Sequence, residues 1–144
     1  MNNRPAGRHK NKTLATLLAV ALGGPGTHRF YLYGARDFWA WIYVCAFALF
    51  VCAIVLAQAP HPLAISLLAL FPLSIFAGWI EGLIIGLTPD DKWDAQHNAG
   101  SQRLSASGWP VVTLLVLTFA GGFTAVILSM ARATDLFLTG GAYG

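Results

Sequence analysis

The chain has 144 residues, of which 56% are hydrophobic and only 10% charged, where a soluble domain carries about 25% charged residues. That balance argues against a soluble domain and for a membrane protein. Lys and Arg outnumber Asp and Glu by 9 to 6, but Arg4, Arg8, Lys10 and Lys12 sit together ahead of the first apolar run, which reads as an orientation signal and not as a nucleic-acid surface.

The first apolar run, Leu14 to Gly24, has 11 residues. As a helix it would rise about 16 Å, against a hydrocarbon core of about 30 Å. It is followed by "GGPGTHRFYLYG" from Gly23 to Gly34, a stretch with the polar and helix-breaking residues of a bend. The second and third runs, Phe38 to Ala59 and Leu63 to Leu87, are each long enough to span, and "APHP" from Ala59 to Pro62 would turn the chain between them into an antiparallel hairpin. Cys45 and Cys52 lie seven residues apart in the second run, about 10 Å along a helix, too far to bridge; they are expected as small core residues.

A polar loop comes next. Thr88, Pro89, Asp90 and Asp91 resemble a helix start, with a hydroxyl cap, proline at the first helical position and carboxylates in the first turn. "PDDKWDAQHN" is therefore expected as a short amphipathic interfacial helix anchored by Trp93, and "AGSQRLSASG" as a flexible linker. The fourth run, Trp109 to Ala131, is a full span interrupted by Gly121 and Gly122. The expected organisation is a basic N-terminus over 1–12, a core unit over 13–87, the polar loop over 88–108, an added helix over 109–131 and a tail over 132–144.

Charge counting chooses the topology. If the first run crossed, Arg4, Arg8, Lys10, Lys12 and Arg132 would lie inside, and Arg29, Arg36, Lys92 and Arg103 outside, five against four. If it dips in and returns, or lies at the interface, residues 1–37 and 88–108 share one side and carry eight, leaving Arg132 alone opposite. The second arrangement satisfies the positive-inside rule. The expected fold is an all-α membrane protein with three transmembrane helices and a short N-terminal re-entrant or interfacial helix, its N-terminus cytoplasmic.

Glu81 is the one acid inside an apolar span. An ionised carboxylate there must be paired, protonated or turned to a water-filled cavity. It lies about 9 Å from the end of its helix, where His28, Arg29 and Arg36 are the nearby cations. An Arg29 to Glu81 ion pair fixing the bend is expected, with a proton or ion pathway as the competing reading. On the same helix Gly78, Gly82 and Gly86 recur at a spacing of four, which lets another backbone approach closely. Its partner is either the first helix, with Ala15, Ala19 and Gly23 at matching spacing, or another copy of the chain. Phe30, Tyr31, Tyr33, Phe38, Trp39, Trp41 and Tyr43 are read as an interfacial aromatic belt, with cation–π contact to Arg29. Asp90, Asp91, Asp94 and His97 are read as capping and surface charge and not as metal ligands, because no cysteine or second histidine is close by in the sequence. No Ser/His/Asp set, phosphate loop or HExxH occurs.

"KNKTLATLLAVALGGPGTHRFYLYG" resembles the opening of the two-transmembrane (TM-two) domain family: a basic start, a short Ala/Leu-rich run, then Gly-x-x-Gly-x-His/Asp-Arg-Phe-Tyr-Leu and a glycine. The matching positions are Lys12, Ala15, Leu18, Ala19, Gly23, Gly26, His28, Arg29, Phe30, Tyr31, Leu32 and Gly34. Trp79, Ile80 and Glu81 look like the later family element, a tryptophan and an acid in the last apolar run, so the likeness covers roughly residues 10–87. Tyr33 is an insertion before the glycine, and Glu81 stands where the family usually has Asp. The resemblance implies a small bacterial membrane protein without an assigned reaction; animal relatives are tied to signalling and membrane-protein handling.

The expected function is a non-enzymatic packing or interaction module of the bacterial inner membrane, without cofactor or metal, acting through a second copy or another membrane protein. The alternative is a small transporter or channel component with Glu81 and Arg29 lining a polar path.

Overall fold

The computed structural model describes residues 9–56 and 62–142, with side chains described outside residues 56 and 62–71. Arg4, Arg8, the turn residues 59–61 and Gly144 lie outside the described residues. All regular elements among the described residues are helical: α1 (Lys12–Leu22), α2 (Thr27–Tyr33), α3 (Phe38–Leu56), α4 (Pro62–Leu87), α5 (Asp90–His97) and α6 (Trp109–Thr139).

The α1 helix starts where the Asn11 side chain accepts the Leu14 N–H at 3.2 Å, an N-cap that satisfies one of the free donors of the first turn. Its buried residues Lys12, Ala15, Thr16 and Ala19 follow helical spacing and form one stripe. The chain then reverses over Gly23 to Gly26. Gly26 has φ 73°, and a Cβ there would lie 2.6 Å from the Cβ of Tyr43, so both conformation and space call for glycine.

After the reversal the chain forms a helix of its own, α2, where the sequence suggested only a bend. It runs back beside α1: Lys10 Nζ donates to the Leu32 carbonyl, and the Asn11 N–H donates to the Tyr31 hydroxyl at 2.8 Å. The end of α2 is thus next to the start of α1. With 11 and 7 residues, the two arms rise only about 16 and 10 Å, and together they form the re-entrant hairpin that charge counting favours. Gly34, at φ 78°, ends α2 by donating its N–H to the Phe30 carbonyl at 2.9 Å.

This hairpin lies along the last turns of α4. Lys12 Nζ reaches the Thr88 carbonyl and Asp90 at one end; at the other, Gly23 meets Gly78, where a Cβ built on Gly78 would stand 2.6 Å from the Gly23 Cα. Between them Gly82 faces Ala19 and Val20, and Trp79 Nε1 donates to the Val20 carbonyl at 3.0 Å. The small-residue face of α4 therefore serves α1, except at Gly86, which faces Leu115 of α6. At these three glycines the face is filled within the chain.

The α3 and α6 helices are long and apolar enough to cross a membrane. The third span is α4, whose 26 residues rise about 39 Å; beyond it the chain bends by 108° into α5. The α6 helix runs straight through Gly121 and Gly122 and on to Thr139, past the expected end at Ala131. Lipid supplies no competing partners for the backbone, so glycine is tolerated inside such a helix. Beyond Ala131 an Arg132 to Asp135 pair at 2.8 Å supports its last turns. Cys45 and Cys52 are exposed, contrary to the core position expected for them. Apolar solvent around a membrane helix removes the penalty that would drive a free thiol inward.

The polar loop is more ordered than its composition suggests. Thr88 does not cap α5; its hydroxyl donates back to the Ile84 carbonyl at 2.7 Å, and Pro89 stands at the cap position without a side-chain bond. Trp93, expected at the membrane interface, is buried at 1% exposure and donates Nε1–H to the Lys10 carbonyl at 3.1 Å. Asn98 accepts the Lys10 N–H at 2.7 Å and returns a bond to its carbonyl at 3.2 Å. The supposed linker is tied down because Asp94 accepts both the Ser105 N–H and hydroxyl at 2.6 Å, and Asp90 accepts those of Ser107. Serines, which favour flexibility when solvated, here each complete a carboxylate's hydrogen bonding.

Burial pushes the Asp90 carboxyl upward, but hydrogen bonds from Ser107 and Lys12 outweigh it and hold it at about 2. A carboxyl lowered in the fold contributes stability that is present above its unfolded value of about 3.9 and is lost as pH falls through the folded value. The clasp is therefore expected to persist through neutral and mildly acidic pH and to open between about pH 4 and pH 2. A carbon-detected carboxyl titration should find Asp90 near the lower limit and moved upward in Lys12→Ala. An Asp90 midpoint near 4 in the unmodified chain would contradict the clasp.

Candidate functional site: a buried ionic cluster

The polar residues within the apolar layer converge on Glu81. Arg29 Nη1 donates to both carboxylate oxygens at 2.8 Å. His28 Nε2 lies 2.7 Å from Oε2, and the Tyr43 hydroxyl donates to Oε1 at 3.0 Å. Three elements thus meet at one carboxylate: α2 supplies the guanidinium and the imidazole, α3 the phenol and α4 the acid. The sequence-expected pair of Arg29 and Glu81 is present, as the centre of a larger set.

Arg29 is shared. Its Nε donates to Asp37 Oδ2 at 2.9 Å, and the same oxygen accepts the Ala40 N–H at 3.2 Å, capping the first turn of α3. One guanidinium thereby ties α2 to the start of α3 and to the C-terminal part of α4. Its planar fork suits this, since separate N–H groups can address two carboxylates at once. The Tyr33 ring lies 5.5 Å from the guanidinium carbon, within cation–π range.

The expected motif residues divide between roles. His28 is fully buried, and its ring meets Tyr43 edge-on at 5.8 Å. Tyr31 serves the α1 entrance, while Phe30 packs edge-on against Trp41 at 5.6 Å and does not join the cluster. Phe38, Trp39 and Trp41 are exposed, as an interfacial belt requires. Tyr43, read in the sequence as one of that belt, is turned inward. Arg36 is exposed at the loop and takes no part.

Asp37 and Tyr43 are the members that sequence reasoning missed. Asp37 carried a usable signal, an acid three residues ahead of an amide in the first turn of an apolar helix. Tyr43 carried none that separates it from its aromatic neighbours. Beside the cluster, a cavity of about 240 Å³ between α2 and α4 is lined by Arg29, Leu32, Tyr33, Glu81, Ile84 and Ile85. Among the described residues, no three His, Cys, Asp or Glu side chains gather as metal ligands.

Neither curated proteins nor solved structures gave a match to the chain. A family model does match: that of the TM2 domain, over residues 8–57. The match takes in the re-entrant hairpin with His28 and Arg29, Asp37, and α3 with Tyr43, and it stops before α4, so the place of Glu81 in the cluster rests on geometry. By this match and by the HRFYL motif folded into its hairpin, the chain is a membrane protein whose residues 8–57 are similar to the TM2 domain family.

Proposed function

We propose that the chain is a non-enzymatic packing and interaction module of the bacterial inner membrane, N-terminus cytoplasmic, working through association with another membrane protein or a second copy of itself. The observation that supports this reading is the saturation of Glu81. Both its oxygens are engaged by Arg29, His28 and Tyr43, and Arg29 is further held by Asp37. Groups bound this way hold helices in register.

A rigid hairpin stapled onto α4 leaves α3 and α6 to present the outer surface. Because Gly78, Gly82 and Gly86 face inward, the partner surface is sought on α6, where Leu117, Phe119 and Phe123 are exposed. A photo-reactive residue at Leu117, activated in native membranes, is expected to give a discrete protein adduct. Lipid adducts alone would contradict the module.

One observation favours the transport reading: the cavity that opens on Arg29 and Glu81. Under that reading, ion or proton flux through reconstituted chain is abolished by Glu81→Gln, and the Leu117 probe captures no protein.

A further inference from the structure

We infer that the end of the molecule where α1 begins and α4 stops is seated on anionic lipid: exposed Arg36, Lys92 and Arg103 hold the phosphates of acidic phospholipid headgroups, while exposed Leu104 and Trp109 enter the acyl layer beneath them. No protein partner is needed for this contact, which stands apart from the packing role.

The residues concerned lie at one end. Lys12 reaches Thr88 and Asp90, Asn11 meets the Tyr31 hydroxyl, and Ser107 is held by Asp90. The start of α1, the end of α2, the end of α4, all of α5 and the approach to α6 are gathered there.

Charge at this end is unevenly spent. Asp37 holds Arg29 and the Ala40 N–H, Asp90 holds Lys12 and Ser107, and Asp94 holds Asn98 and Ser105. Of the described acids here, Asp91 alone is exposed. Lys10 and Lys12 are likewise engaged within the chain, but Arg36, Lys92 and Arg103 are exposed and enter no ion pair among the described residues. Inward-turned acids and outward-turned cations leave a positive surface, the complement of an anionic leaflet. At the opposite end of α6, Arg132 is paired with Asp135.

Apolar side chains stand beside these cations. Leu104 follows Arg103 and is 80% exposed, and Trp109, which opens α6, is 82% exposed. The loop that carries Leu104 is pinned: Asp94 and Asp90 hold Ser105 and Ser107, and the Arg103 N–H donates to Ser101 Oγ at 3.1 Å. A leucine fixed outward just ahead of a spanning helix finds its apolar surroundings in the bilayer. Phe38 and Trp39, exposed shortly after Arg36, repeat the pattern. A cation at phosphate level with an apolar neighbour below it is the arrangement that suits a headgroup boundary.

The test uses the full chain in phosphatidylcholine vesicles that carry a trace of spin-labelled phosphatidylglycerol or spin-labelled phosphatidylcholine. Electron paramagnetic resonance reads the share of each probe held at the protein boundary. Phosphatidylglycerol should be preferred by roughly threefold at low salt, and the preference should fall toward parity in about 1 M salt. Arg36→Gln, Lys92→Gln and Arg103→Gln together should abolish it, and Arg132→Gln should leave it unchanged. The salt series on the parent chain gives the same reading without any substitution. For the seat, a nitroxide on Leu104→Cys, in a chain with Cys45 and Cys52 replaced by alanine, should collide more with oxygen than with a water-soluble nickel chelate. Equal holding of the two probes by the parent, a preference that survives high salt or the triple substitution, its loss on Arg132→Gln, or a Leu104→Cys label reached mainly by the chelate would each overturn the assignment.

Discussion

Arg29→Ala is expected to destabilise the chain by about 3–5 kcal/mol, the cost of stripping the partner from a buried charge. Two carboxylates are left behind, since Arg29 alone bridges Glu81 and Asp37. The loss would appear as a lower Tm in a bilayer mimetic and as lower abundance in membranes. Pairing the change with Glu81→Gln should recover part of the loss, because the second substitution removes one stranded charge. Arg29→Lys should fall between, since a single ammonium lacks the fork that reaches both acids. An Arg29→Ala chain as stable as its parent would mean that the cluster does not hold the hairpin.

The second large effect is expected at Gly78. The ideal Cβ position there lies 2.6 Å from the Gly23 Cα and 2.9 Å from its carbonyl carbon, both backbone atoms that cannot rotate away. Gly78→Ala should therefore force α1 off α4 at a cost of about 1–3 kcal/mol, and Gly78→Leu should displace it outright. Gly121 is the matched control, since nothing lies within 4 Å of a Cβ there; Gly121→Ala should change stability by less than about 0.5 kcal/mol. Equal Tm values for the two alanine variants would contradict the close packing of α1 on α4.

The features that could be read from the sequence were those fixed by length, charge and spacing. An apolar run of 11 residues is too short to cross, and the short α1 that folds back into α2 agrees with that length. A lone acid in a span must be paired, protonated or turned to water, and pairing brought Glu81 to Arg29 across a long separation in sequence. The glycine spacing on α4 announced a close neighbour, although sequence could not say whether that neighbour was α1 or another chain.

The rest depended on three-dimensional coincidence. Tyr43 differs from the exposed Trp39 and Trp41 only in which face of α3 it occupies, and an all-apolar helix has no periodicity to reveal that face. Trp93 suits an interface by type, yet the Lys10 carbonyl gives its indole a buried acceptor. Ser105 and Ser107 belong to a composition typical of linkers. Their order comes from Asp94 and Asp90, which lie across the loop on α5, and no local rule links those positions.

Cysteine accessibility tests the hairpin most directly. In a chain with Cys45 and Cys52 replaced by alanine, single cysteines at Asn11 and Ala35 flank the two arms of α1 and α2. A membrane-impermeant thiol reagent applied to one side of sealed vesicles is expected to label both positions from the same side, with a cysteine at Leu22 protected from either. Labelling of Asn11→Cys and Ala35→Cys from opposite sides would mean that the first helix crosses the membrane, and would contradict a re-entrant hairpin held by Arg29 and Glu81.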